Sequence, residues 1–181
     1  MFFGNPKLGV AGGELYEERK GFLVRPICHD QNEVSGPCQL FRRSCFEAVG
    51  AYLKNPLGIE DAVAVTAARM KGWRVIRAGD CKLVHHRPLR GVSGWSFFQY
   101  FLLYGRKDYL LGDHPLWGFG RFFYRLREKP YVLGSFLRLA AYCWACLRRL
   151  DRPVCCDFVR YRRRWQLNRR GRALMGQRQD L

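Results

Sequence analysis

The residue pattern changes near Pro88, and this change constrains the fold more than any other feature of the sequence. Before it, short apolar runs are separated by turns that contain glycine or proline, which is typical of a mixed α/β region. After it, aromatic residues and leucines spread over nearly all faces of two longer segments, and arginines interrupt or end them. We therefore predict an α/β domain over 1–88 and an α-helical, basic, aromatic-rich region over 89–181.

The chain is strongly basic, and its charge indicates an anionic partner. Its 181 residues include 32 Lys and Arg against 15 Asp and Glu, a net charge of +17. Most of the excess lies in the last third of the chain. The hydrophobic fraction of 48% argues against disorder, so the partner classes to consider are nucleic acid, anionic lipid and a phosphorylated substrate.

The cysteines and the length of the apolar runs indicate where in the cell the protein is located. Eight cysteines occur without a secretory signal before them, which favours reduced thiols and a cytoplasmic protein. No uninterrupted apolar run reaches about 18 residues, the length that a membrane-spanning helix needs. We expect a cytoplasmic chain, with peripheral contact at the inner face of the membrane as an extension of this prediction.

Two adjacent acids, Glu60 and Asp61, stand between a glycine-containing turn and a segment with helical spacing over 61–71. In one interpretation Asp61 is the N-cap of that helix and Glu60 is a first-turn acid. In the other, a carboxylate that the helix N-terminus keeps ionised acts as a general base on a substrate. The two interpretations are compatible, since one acid can cap the helix while the other reacts.

The segment SGPCQLFRRSCFEAVGAY predicts a short strand over 38–41 followed by a short helix. Ser44 opens an S-x-x-E capping box, and Gly50 ends the helix. Arg42 and Arg43 come at the end of the strand, where ligands of α/β sheets often bind. They are candidates for binding phosphate or an acceptor, and a solvated position is the alternative for at least one of them.

Two further strands are predicted over 73–77 and 81–86, and the second ends in His85 and His86. Successive side chains on a strand point to opposite faces, so only one of the two histidines can enter a given site. A structural role is common for such a histidine. The acid pair at the same predicted sheet edge favours a functional role for one of them.

The last half of the chain leaves several interpretations open. Segments 94–112 and 131–150 suit helices that lie in a membrane interface with arginines reaching the phosphates, and they suit helices packed on protein equally well. The basic segment 160–172 is either a solvated tail or a contact for lipid headgroups. With Tyr161 and Trp165 as stacking platforms, it is also a candidate nucleic-acid site.

The order of four segments resembles a known family. VAGGELYEE, SGPCQLFRRSCFEAVGAY, GIEDAVAVTAARMKGWRV and KLVHHRP are similar to the second half of family-2 glycosyltransferases with the GT-A fold. The resemblance covers about 6–88, and the tail resembles the C-terminal helical extension of many bacterial members. It implies a partial GT-A-like mixed sheet and transfer of a sugar from a nucleotide-diphosphate sugar to an acceptor hydroxyl, in polysaccharide or glycolipid synthesis.

The resemblance also implies roles for single residues. Asp61 aligns with the base that takes the acceptor's proton, and Glu60 aligns with its partner that orients the acceptor. Mg²⁺ or Mn²⁺ is implied on the donor diphosphate. His85, or else His86, lies where some members place a further metal or diphosphate ligand.

The chain departs from the family pattern at its start. Family members begin with a nucleotide-binding half that ends in an Asp-x-Asp motif, and no Asp-x-Asp occurs in this sequence. We therefore expect a truncated member. The alternatives are an inert remnant and a non-enzymatic basic module that binds an anionic membrane or nucleic acid, of which nucleic acid is the less favoured.

Overall fold

The structure is a computed structural model, and it describes residues 2–19, 22–24, 33–86, 97–126 and 132–174. The chain divides into two compact units, Met1–Trp95 and Ser96–Leu181. The predicted boundary at Pro88 falls outside the described residues. Each unit is described by itself below.

The first unit is built around the long strand β1, Leu8–Arg19. It pairs antiparallel with β2, Phe22–Val24, and with β3, Leu40–Phe41, and parallel with β4, Arg74–His85. The result is a mixed four-stranded sheet. The predicted α/β class is therefore confirmed.

Two helices complete this unit. Helix α1 spans Arg43–Val49 and helix α2 spans Glu60–Met70, and a 3₁₀ turn, Gly36–Cys38, precedes β3. Both helices pack on the sheet. The core between the helices and the sheet is apolar and is made of small side chains. Its buried members are Val10, Val34, Cys38, Cys45, Val65, Ala68 and Val75.

The structure corrects two predicted helix starts. Helix α1 begins after Arg42 without a side-chain cap, so the capping box at Ser44 is wrong. The acid of that box, Glu47, instead accepts a hydrogen bond of 2.7 Å from the Nε of Arg43, one helical turn earlier. Helix α2 begins after Ile59, so Asp61 is not its N-cap.

Three more predictions concern the end of α1 and the bounds of two strands. Gly50 caps α1 in the left-handed conformation at φ 86°, as predicted. The predicted strand over 38–41 is shorter, because Cys38 belongs to the 3₁₀ turn. The two strands predicted over 73–77 and 81–86 are a single strand, β4, whose pairing with β1 shifts register at two points.

The second unit is helical in the described residues. It contains α3, Phe97–Leu110, α4, Pro115–Arg125, α5, Val132–Leu147, and α6, Cys156–Leu174. Among the described residues, no helix combines the length and the apolar character needed to cross a membrane. The basic segment predicted as a tail lies in α6, and the buried side chains of Phe158, Val159 and Gln166 pack this helix into its unit.

Helices α3 and α5 cross at close range because Gly105 has no side chain. A Cβ at this position would lie 2.1 Å from the backbone oxygen of Arg138 and 2.8 Å from the Cβ of Ala141. Ala141 and Ala145 on the facing side of α5 are buried. The small residues thus set the distance between the two helix axes.

A buried ion-pair network joins the helices of the second unit. Asp108 accepts hydrogen bonds from Arg121 at 2.8 Å and from Arg138 at 2.6 Å and 2.8 Å. Asp113, 1% exposed, accepts from Arg121 at 3.2 Å and from Arg162 at 2.5 Å. Because each carboxylate meets two guanidinium groups, both remain paired although they are out of water.

We expect Gly105→Ala to destabilise the second unit by about 1–3 kcal/mol, since the new methyl group would meet a backbone oxygen that cannot rotate away. A thermal melt followed by circular dichroism measures this. Gly118→Ala in α4 is the control, because a Cβ there meets nothing within 4 Å. A Gly105→Ala protein that melts at or above the wild-type temperature would contradict the close crossing.

The network also predicts acid sensitivity. Burial raises the pKa of Asp108, but the charges of Arg121 and Arg138 and their hydrogen bonds outweigh burial and lower this pKa from 3.8 to about 2. A carboxyl group whose pKa is lower in the folded state stabilises the fold above its unfolded pKa. That stabilisation, about 2 kcal/mol, is lost as the pH falls from about 4 to about 2.

Melting temperatures measured between pH 6 and pH 2 test this expectation. Asp151→Asn, which removes an exposed carboxylate, should leave the acid dependence as in the wild type. Asp108→Asn should lower the melting temperature at neutral pH and make the decrease in melting temperature below pH 4 less steep. An Asp108→Asn protein as stable as the wild type at pH 6 would show that the carboxylate is not part of a stabilising network.

Candidate functional site

The two acids lie at the N-terminus of α2, where backbone N–H groups and the helix dipole favour negative charge. Glu60 has one carboxylate oxygen, Oε2, that is buried and has no hydrogen-bond partner in the structure. Burying an unpaired polar atom costs free energy, so native proteins keep few such atoms. This oxygen therefore lacks the hydrogen-bond partner that its burial calls for.

Asp61 is held against the 3₁₀ turn. Its Oδ1 accepts a hydrogen bond of 2.7 Å from the backbone N–H of Ala62. Its Oδ2 lies so near Gly36 that a Cβ at that glycine would be 2.6 Å away. A glycine at position 36 is what lets the carboxylate lie directly on the turn.

The 3₁₀ turn packs directly against strand β1. A Cβ at Gly12 would be 2.6 Å from the carbonyl oxygen of Cys38 and 2.1 Å from a methyl carbon of Val34. The thiol of Cys38 donates to the carbonyl of Gly13 at 3.6 Å. Gly12 and Gly13 both lie inside β1, and while Gly12 is close to the 3₁₀ turn, Gly13 is close to the backbone oxygen of Cys81 in β4.

Two polar side chains beside the acids were not predicted. Tyr52 donates from its hydroxyl to Oε1 of Gln39 at 3.0 Å, and Nε2 of Gln39 donates to the backbone oxygens of Val34 at 3.2 Å and Asp61 at 3.4 Å. Burial, followed by the charges of Asp61 and Glu60, raises the pKa of Tyr52 above 10.0. Both residues lie in the segment SGPCQLFRRSCFEAVGAY, but no spacing in it marks them as site residues, and the folded chain brings them to the acid pair.

These residues form one polar group, which we call the acid site: Gln39, Tyr52, Glu60 and Asp61. It offers two carboxylates for accepting protons or hydrogen bonds and the hydroxyl of Tyr52, a residue that is 43% exposed. An alcohol or a sugar hydroxyl is the kind of group that such a site can hold. A carboxylate can also take its proton.

The predicted arginines do not join the acid site. Arg42 donates to the backbone oxygens of Phe2 at 2.5 Å, Asn5 at 2.9 Å and Leu8 at 2.9 Å, and its guanidinium lies over the ring of Phe2. These contacts give Arg42 a structural role instead of the predicted role in binding phosphate. The side chain of Arg43 is 92% exposed and pairs with Glu47.

The histidines lie farther along the sheet than the acid site. His85 pairs in register with Glu17 of β1, four residues beyond Gly13, which is about 13 Å at the rise of a strand. The Nδ1 of His86 lies 3.0 Å from Oε2 of Glu18 at the surface. The register thus places His85 away from Gly13 along the sheet, and the grouping of a histidine with the acid pair stays a prediction.

A cluster of metal-binding side chains is not seen in the part of the chain that the structure describes. In it, no three or more His, Cys, Asp and Glu side chains come together in a way that could hold an ion. The Mg²⁺ or Mn²⁺ that the resemblance implies stays a prediction.

Comparison of the chain with protein-family models, with curated proteins and with solved structures gives no match. The family resemblance therefore rests on the sequence segments alone. The acid site is described by its own geometry, and its function is a proposal.

The raised pKa of Tyr52 offers a direct measurement of the acid site. Asp61→Asn and Glu60→Gln each remove a nearby negative charge that disfavours the phenolate, so each should lower the pKa of Tyr52 towards 10.0. The measurement is an alkaline titration of ¹³Cζ-labelled tyrosine by NMR, with Tyr52→Phe to assign the signal. Asp80→Asn on the exposed part of β4 is the matched control and should change nothing. An unchanged midpoint in both acid-site variants would separate Tyr52 from the acids.

Proposed function

We propose that the first unit is the acceptor-binding and catalytic half of a GT-A-like glycosyltransferase of the family-2 type. It would transfer a sugar from a nucleotide-diphosphate sugar to a hydroxyl of a growing polysaccharide or a glycolipid. The observation that carries the proposal is the buried, unpaired carboxylate oxygen of Glu60, next to Asp61 at a helix N-terminus.

Asp61 is the general base of this proposal. Its Oδ1 is fixed by the N–H of Ala62, and Gly36 holds the carboxylate on the turn, so the base has one defined position. The carboxylate takes the proton of the acceptor hydroxyl while the acceptor oxygen bonds to the anomeric carbon of the donor. The bond from that carbon to the diphosphate breaks, and the anomeric configuration inverts.

Glu60 orients the acceptor. Its Oε2 gains a hydrogen-bond partner when a second hydroxyl of the acceptor donates to it, which offsets the cost of its burial. Gln39 binds the backbone oxygen of Asp61 and the hydroxyl of Tyr52, and so it holds the start of α2 in place.

The nucleic-acid alternative has less support from the contacts. Arg162 of α6 is committed to the buried carboxylate of Asp113. The stacking platform expected at Trp165 has the guanidinium of Arg169 over its ring at 5.3 Å. Some side chains of the basic segment 160–172 are thus engaged in contacts within the second unit.

We expect Asp61→Asn to reduce sugar transfer by about 10²- to 10⁴-fold, the usual contribution of a general base. The assay measures nucleoside diphosphate released by the purified chain from a panel of uridine- and guanosine-diphosphate sugars, with mixed glycan and glycolipid acceptors. Glu60→Gln should mainly raise the KM for the acceptor, because its hydrogen bond is made in the ground state as well.

Asp80→Asn is the control and should transfer at the wild-type rate, since this exposed acid lies on β4. Full turnover by Asp61→Asn would refute the base assignment. A wild-type chain that releases no diphosphate from any donor would refute transferase activity for this polypeptide.

A further inference from the structure

Helix α5 exposes one apolar face along its whole length. Leu133, Phe136, Trp144 and Leu147 are 46%, 58%, 50% and 83% exposed, and their successive spacings of three, eight and three residues put them on one side. The residues buried against the rest of the unit occupy the other side: Gly134, Ser135, Ala141, Tyr142 and Ala145. The helix is thus apolar on both sides, and only one of them is covered.

Helix α4, which packs on α5, shows the same feature more strongly. None of its eleven residues, all of which the structure describes, is buried. Its exposed side chains are large and mostly apolar, and they are Leu116, Phe119, Phe123 and Tyr124. Together with the face of α5 they make an exposed apolar area on the order of several hundred Å², as large as the patches by which proteins bind partners or membranes.

The exposed charges around these faces are mostly positive, although the exposed Asp151 follows two residues after Arg149. Within 97–126 and 132–150, the part of this region that the structure describes, the acidic residues are Asp108 and Asp113, and both are buried in the ion-pair network. The exposed charged residues there are Arg106, Arg148 and Arg149. Each of them adds a positive charge beside the apolar faces.

Arg148 lies where the apolar face of α5 ends. Its guanidinium is 5.8 Å from the ring centre of the exposed Trp144. Tryptophan and arginine side chains of this kind suit the level of lipid headgroups, where the ring meets the acyl boundary and the cation meets phosphate. The end of α5 therefore has the chemistry of a membrane–water boundary.

We propose that the exposed faces of α4 and α5 bind the surface of an anionic membrane, with the helices lying in the interface. The apolar side chains enter the headgroup–acyl boundary and the arginines bind lipid phosphates. Charge selects this occupant over a second copy of the chain, because two faces whose exposed charges are net positive repel each other. The inference uses residues of the second unit alone and does not rest on the transferase proposal.

Vesicle sedimentation of the full chain tests the inference. At about 0.1 M salt we expect binding to vesicles of phosphatidylcholine with 30% phosphatidylglycerol, weaker binding to pure phosphatidylcholine, and a blue shift of tryptophan fluorescence on binding. The double change Phe136→Asn and Trp144→Asn should reduce binding at least tenfold. Because both side chains are about half exposed, the melting temperature should stay near that of the wild type.

Phe22→Asn is the matched control, since this phenylalanine of β2 is 76% exposed but belongs to the first unit. It should bind as the wild type does. The double change Arg148→Glu and Arg149→Glu should remove the preference for anionic vesicles and leave the weaker binding to pure phosphatidylcholine.

Three results would overturn the inference. The first is a wild-type chain that binds neither kind of vesicle. The second is unchanged binding by the Phe136 and Trp144 variant. The third is a dimer, seen by light scattering, that the same variant dissociates while vesicles do not bind, because a second copy would then cover these faces. Each result is read without a sugar-transfer assay, so it leaves the transferase proposal to its own test.

Discussion

The first unit depends on how closely other parts of the chain approach strand β1. This strand pairs with all three other strands of the sheet, so a residue that displaced it would disturb the whole unit. Side chains larger than hydrogen would collide at Gly9 with Cys45 and at Gly12 with Cys38. Because these positions are glycines, helix α1 and the 3₁₀ turn can pack directly on the strand. The carboxylate of Asp61 in turn packs against the 3₁₀ turn at Gly36. The position of the acid site is thus a consequence of backbone packing several residues away.

The second unit uses charge for a comparable purpose. Two buried aspartates lie among three arginines, each less than one quarter exposed, and these ion pairs connect α3, α4, α5 and α6. A chain with such an excess of arginine keeps some of it inside, where the carboxylates compensate the charge. Other arginines, such as Arg148 and Arg149, stay exposed at the end of the apolar face of α5. One residue type therefore has two roles, which composition alone does not separate.

The predictions from the sequence differ in outcome for identifiable reasons. The helix over 61–71 and the stop at Gly50 were found because they follow from periodicity and from the conformational freedom of glycine. The capping box at Ser44 failed because its acid, Glu47, has a nearer partner in Arg43. Arg42 was expected to meet a ligand, but the backbone oxygens of the chain's own start take its donors. Local rules cannot anticipate partners that come from distant parts of the chain.

The sequence by itself determined the mixed α/β class of the first unit, the helical character of the second, and the acid pair at the start of a helix, because these follow from short-range patterns of apolar residues, glycines and charges. The tertiary structure decided which polar groups meet. It placed Gln39 and Tyr52 beside Glu60 and Asp61, left the histidines farther along β4, and buried Asp108 and Asp113 among arginines. The physical reason is that hydrogen bonds and ion pairs act over a few ångströms in space, whereas the distance along the chain between their partners is unrestricted.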